Sequence, residues 1–140
     1  MSNARSRSKR TEANMLMVED FFGTYQISTL DELERILDRR SESICANAYS
    51  LSPAQTAFPF LGIFVKNDQA ILNYIASEGG DCAISRGAEA YGNAVFYETN
   101  AGATIVAPAE AIVPVATAVE AAREFFETHT SPSCVRWLAI

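Results

Sequence analysis

An α+β fold, with a largely antiparallel sheet and two helices packed on one of its faces, is predicted by three features of the sequence. Short apolar runs separated by tight polar turns fill the middle of the chain. An amphipathic stretch of helical period precedes them, and a second follows Pro114. Consecutive short strands with tight loops indicate an antiparallel meander.

The elements follow in order. Phe22, Tyr25 and Ile27 suit a pleated strand over residues 21–27, which Ser28 and Thr29 end. Thr29 followed by Glu32 forms a capping box, in which the hydroxyl accepts from an early amide and the carboxylate reaches back. Leu30, Leu33, Ile36 and Leu37 then make the buried stripe of a helix over residues 30–39. Asp31 and Glu32 at its start and Arg39 and Arg40 at its end suit the helix dipole. A strand over residues 44–51 stops at Ser52 and Pro53. The runs FLGIFVK (60–66) and AILNYIA (70–76), joined by Asn67, Asp68 and Gln69, form a hairpin. Gly79, Gly80 and Asp81 turn the chain into a short strand at 82–85. AVFYET (94–99) and residues 103–107 pair across Asn100, Ala101 and Gly102.

After Pro114 the apolar stripe Val115, Ala118, Val119, Ala122, Phe125 and Phe126 defines the second helix, which ends near Thr128 because Pro132 cannot continue it. Glu120, Arg123 and Glu127 lie outside the stripe at pairing distances. A last strand over residues 134–140 carries Val135, Trp137 and Leu138 back to the sheet. The expected core includes Phe60, Phe64, Tyr74, Phe125, Phe126 and Trp137, because strand and stripe residues of this kind fill a sheet–helix layer. Cys45 and Cys134, in apolar runs, are expected there as small hydrophobes.

The chain has 140 residues and 49% hydrophobic content, which fits one domain, and no run approaches the roughly 20 apolar residues of a membrane span. Residues 1–13 hold Arg5, Arg7, Lys9 and Arg10 against Glu12 and lack apolar periodicity, so they read as a disordered basic tail ahead of a single domain over 14–140. That domain has seven basic and sixteen acidic side chains, a net charge of −9. Such a body repels nucleic acid and steers toward basic partners. Three cysteines without short spacing, and no N-x-[ST] acceptor, point to a reducing cytoplasm.

The catalytic inventory excludes most enzyme classes. His129 is the one histidine, no phosphate-cradling glycine motif occurs, and no metal-ligand spacing is present. A Cys134 nucleophile with His129 as base has no orienting third group. The expectation is a non-enzymatic protein with no catalytic residue, no cofactor and no metal. What remains is an acidic, aromatic contact patch: Glu78 and Asp81 around a glycine turn, Glu89 and Tyr91 in the next segment, and Tyr97 and Glu98 on a strand. Tyrosine gives rigid contact area and carboxylates pair with Lys or Arg.

The hairpin FPFLGIFVKNDQAILNY (58–74), Val95, Phe96 and Tyr97 in the middle, and an ending of Val113, Pro114, Ala121 to Thr128, Pro132, Val135, Arg136 and Trp137 occur in one ordered combination. In this the chain resembles the first immunity-protein family of bacterial polymorphic toxin systems, over residues 21–138, nearly all of the body. The resemblance implies a monomeric cytoplasmic inhibitor that occludes the active site of a toxin one-to-one, and several toxins opposed by this family are deaminase-fold enzymes acting on nucleic acid. The alternative is a secretion chaperone or adaptor, also small, acidic and α+β, that binds an extended effector segment. If the glycine-turn acids face the partner, Glu78→Lys with Asp81→Lys slows association in a stopped-flow assay while leaving the unfolding midpoint in place. Unchanged kinetics remove both from the interface.

Overall fold

The computed structural model describes residues 15–140, so the basic tail expected over 1–13 lies outside the described residues. Among the described residues ten strands and two α-helices follow in the order β1 (Leu16–Asp20), β2 (Gly23–Ile27), α1 (Leu30–Leu37), β3 (Ala46–Pro53), β4 (Phe60–Lys66), β5 (Gln69–Ile75), β6 (Cys82–Arg86), β7 (Asn93–Tyr97), β8 (Thr104–Pro108), β9 (Val113–Pro114), α2 (Val115–Thr128) and β10 (Arg136–Ala139). Seven strands form one antiparallel sheet in the order β10-β6-β5-β4-β3-β1-β2, and the two-residue β9 pairs with β5. The fold is α+β, with the large antiparallel sheet that the turn spacing predicts.

Alternation along the strands sorts side chains between two faces. Leu16 and Val18 of β1, Tyr49 and Leu51 of β3, Leu61, Ile63 and Val65 of β4, and Ala70 and Leu72 of β5 are all buried in one cluster. Against them pack Leu33, Ile36 and Leu37 of α1 and Ala118, Ala121, Ala122, Phe125 and Phe126 of α2. Both helices therefore share a face. The capping box at α1 forms: the Glu32 N–H donates to Thr29 Oγ1 at 3.2 Å, and Glu32 Oε1 accepts from the Ser28 N–H at 3.3 Å. The Ser28 amide and the Thr29 hydroxyl, both donating to Glu32 Oε1, hold this carboxyl below its ordinary pKa.

The opposite face is covered differently. β7 and β8 do not join the sheet but form their own two-stranded ribbon. Its Phe96 and Ala107 are buried with Ile71, and Phe64 and Ile84 of the sheet pack against them. Lys66 fixes the ribbon in place, donating from Nζ to the Val95 carbonyl at 2.6 Å while lying 5.6 Å from the centre of the Phe96 ring. Ser85 Oγ, also buried, donates to Ala111 O at 2.7 Å and accepts the Leu72 N–H at 3.0 Å. Gly87 lets the returning chain touch the sheet, since a Cβ there would collide with Ile112 O.

Several local expectations are corrected. The first strand begins at Leu16, and Phe21 and Phe22 form the turn of a β1–β2 hairpin, leaving Phe22 exposed. Asp20 decides this, because its Oδ1 accepts from the Phe22 and Gly23 amides at 2.8 and 3.1 Å and closes the turn. The hairpin between β4 and β5 needs two loop residues, as Gln69 pairs with Lys66 and Asn67 takes a left-handed φ of 55°. Cys45 is exposed, held at a φ of 50° in the loop before β3, where its N–H donates to Ser41 O. Arg123 reaches across to Glu34 of α1 at 3.2 Å, so the bridge joins the two helices. The last strand, β10, pairs with β6 at the sheet edge.

Tyr49 ties the sheet to the end of α1. Its hydroxyl proton is shared between Leu37 O at 3.0 Å and Arg39 O at 2.7 Å, and its oxygen accepts from Arg40 Nη1 at 3.0 Å. Burial pushes this hydroxyl up to about 12, with Arg40 opposing the rise. A phenol whose pKa is raised by folding contributes stability that is complete below its unfolded value near 10 and is lost as pH rises through the folded value. Urea unfolding between about pH 9 and 12 should therefore show a loss of about 2–3 kcal/mol from this group. Tyr49→Phe should remove that part of the alkaline limb and cost about 1–3 kcal/mol at neutral pH.

Candidate functional site

The ribbon leaves part of its face of the sheet uncovered, and the strand register dictates what shows there. Glu19 of β1 stands opposite Ser50 of β3, Ser50 opposite Gly62 of β4, and Gly62 opposite Asn73 of β5. Small and polar residues thus cross four strands in one row. Phe60 and Phe64 flank Gly62 along β4, on the same side of the pleat. Together with Asp20, Phe21 and Glu98 they enclose a trough of about 280 Å³.

Each part of the trough has a local cause. Gly62 has no Cβ, and one placed there would collide with Asn73 Oδ1 and lie 3.1 Å from Phe60 Cε1. The glycine therefore makes room for the Asn73 amide, whose oxygen is buried without a hydrogen-bond partner. Asp20 is held by the turn amides and by Asn47 Nδ2 at 3.2 Å, which in turn donates to Arg39 O at 3.1 Å. Glu19 and Glu98 are exposed on the rim, and among the described residues no basic side chain lines the trough.

A second groove of about 300 Å³ shares Phe64 and Asn73 with the first and is walled by Ile84, Ile105, Val106 and Ile140. Beside it the ribbon and the chain end expose apolar surface: Val106 is 65% exposed, Val95 41% and Ile140 74%. Val95 and Val106 are direct cross-strand partners, so the two lie side by side on the ribbon.

The residues singled out from sequence separate into groups. Glu98 lines the trough. Glu78 and Asp81 bracket the exposed turn between β5 and β6, and Glu89 and Tyr91 stand exposed on the loop entering the ribbon. Tyr97 ends β7 half-buried. None of these five lines either hollow. Of the expected core, Phe125 and Phe126 are buried, Tyr74 and Trp137 pack half-buried against that cluster, and Phe60 and Phe64 wall the trough. Trp137 Nε1 donates to Pro132 O at 3.0 Å, and its ring lies 6.0 Å from that of Tyr74. Glu19, Asp20, Phe21 and Asn73 were not singled out as contact residues. One signal for them is in the sequence: Asn73 interrupts an apolar strand directly opposite the glycine of its partner.

Catalytic chemistry finds little support among these side chains. Burial and the nearby Glu120 and Glu124 push the Cys134 thiol up, away from the thiolate a nucleophile needs. The His129 amide closes the end of α2 by donating to Phe125 O at 2.8 Å, and its ring packs 6.0 Å from that of Phe125. Among the described residues no cluster of three or more His, Cys, Asp or Glu side chains is placed to hold a metal, and no helix is long and apolar enough to cross a membrane.

The sequence model of the Imm1 immunity-protein family matches residues 23–139. The chain belongs to the Imm1 family. A relative of the same kind, the double-stranded DNA deaminase immunity protein of Burkholderia cenocepacia (strain H111), is 32% identical over 123 residues, spanning 87% of this chain and 98% of the relative. The Imm1 match includes Phe60, Gly62, Phe64, Asn73 and Glu98 and begins after Glu19, Asp20 and Phe21. In this Imm1 protein the trough thus combines matched sheet residues with the acidic end of β1 and the turn after it, which precede the match.

Gly62→Ala should drive the Asn73 amide and the Phe60 ring apart at a cost of about 1–3 kcal/mol, read from the urea midpoint. Combining it with Asn73→Ala should recover part of that loss, a coupling that a double-mutant cycle measures directly.

Proposed function

We propose that this Imm1 protein neutralises a cognate bacterial toxin by binding it one-to-one and covering its active site, without chemistry of its own. Family membership carries the reading. The name of the Burkholderia relative supports a nucleic-acid deaminase as the toxin. Charge supports it as well: an enzyme that works on nucleic acid needs a basic substrate groove, and residues 14–140 of this chain carry nine net negative charges. Complementary fields give fast association, and a few buried anchors give slow release.

The surface that fits this task is the ribbon side of the sheet. Tyr91, Tyr97, Val95 and Val106 offer an apolar and aromatic centre there, with Glu89, Glu98, Glu19 and Asp20 as acidic surroundings and Glu78 and Asp81 on the neighbouring turn. Neither nucleic acid nor a membrane is a partner in this reading. The protein acts as a monomer in the cytoplasm, in keeping with its three free cysteines.

The test is a deamination assay on double-stranded DNA with the toxin domain encoded beside this chain. Activity should fall linearly with added chain and vanish at equimolar amounts. Untouched deamination, or capture by the chain of an unfolded secreted segment in place of a folded domain, would replace immunity with the secretion-adaptor reading.

A further inference from the structure

We infer that the trough between Phe60 and Phe64 is the seat of an arginine side chain supplied by the toxin. The inference rests on the immunity reading and adds to it the chemistry of the contact.

Charge complementarity sets the sign of the occupant. Among the described residues Glu19, Asp20 and Glu98 line the trough and no basic side chain does. Among the described residues, Lys66 of β4 is committed to Val95, and Arg39 and Arg40, on the loop that Asn47 ties to Asp20, are committed to the Tyr25 hydroxyl and to Tyr49 and two carbonyls. Any anion, a phosphate included, would meet three carboxylates at close range and be repelled.

The walls narrow the choice from cation to guanidinium. Phe21, Phe60 and Phe64 line it with aromatic rings, against which a planar, weakly hydrated guanidinium packs while a compact ammonium loses more hydration. Beneath them Asn73 Oδ1 is a buried acceptor without a donor, a state that costs free energy until a donor arrives. Guanidinium carries five N–H donors in a fixed fork, enough to serve Asn73 and a rim carboxylate together. At about 280 Å³ the trough is small for a cofactor, and it is shaped for one side chain.

The test titrates N-acetyl-arginine methylamide, and separately its lysine counterpart, into the ¹⁵N-labelled full chain. Saturable shifts are expected at the Asn73 side-chain amide and at the backbone amides of Phe60, Gly62 and Phe64. The arginine compound should bind roughly threefold or more tightly than the lysine one. Glu19→Lys with Glu98→Lys should abolish the response, whereas Glu120→Lys with Glu127→Lys on α2 should leave it intact. Shifts scattered over the acidic surface, equal binding of both compounds, or no response at the trough would overturn the inference. The toxin assay keeps the two readings apart. A chain that silences its toxin one-to-one while its trough ignores arginine loses the seat and keeps immunity; a trough that takes arginine in a chain that silences nothing loses immunity.

Discussion

Phe96 decides where everything on the second face of the sheet lies. It is fully buried between the ribbon and Ile71, and Lys66 closes over it with a hydrogen bond to Val95. An antiparallel sheet has two faces, and apolar residues on both must be covered or left wet. α1 and α2 cover one. The ribbon covers the other only where Phe64, Ile71 and Ile84 demand it, and beyond that the strands present Glu19, Ser50, Gly62 and Asn73. The trough is therefore the part of the face that the sequence itself made compatible with water, bounded by aromatic side chains at the edge of the second core.

This division explains how stability and binding coexist in a short chain. The helix-side core holds most of the large buried side chains, from Leu16 and Leu33 to Phe125, and is joined to α1 through Tyr49 and through the Asn47–Asp20–Arg39 knot. Changes on the ribbon side leave that core untouched. An inhibitor whose partner varies can alter its rim acids and ribbon apolar residues while the helix-side packing persists. Asp20 is the exception, since it both closes the first turn and adds charge to the trough.

Much of the fold was legible because it is written in local patterns. Thr29 and Glu32 mark the start of α1, the Val115 to Phe126 stripe marks α2, and the hairpin of β4 and β5 follows from two apolar runs around Asn67. The departures come from long-range pairing. Strand β1 was hidden because LMVED has an acidic end and no turn signal other than Asp20, and its pairing with both β2 and β3 is invisible in sequence. The separation of β7 and β8 into a ribbon depends on Phe96 facing the sheet, which alternation alone does not reveal. The candidate site was legible in its chemistry, acids with aromatics, more than in its place. Of the expected contact residues Glu98 alone lines the trough, and Phe60 and Phe64, expected in the core, wall it, because the register across four strands assembles the rest.

Amide hydrogen exchange of the chain, free and in complex with the toxin domain encoded beside it, tests most directly which face does the work. Slowed exchange is predicted at the Phe21–Phe22 turn, at Tyr91, and at Glu98 and the residues that follow it, with no change along the exposed side of α2 at Glu120, Arg123 and Glu127. Protection confined to α1 and α2, with the ribbon side exchanging as in the free chain, would contradict the account.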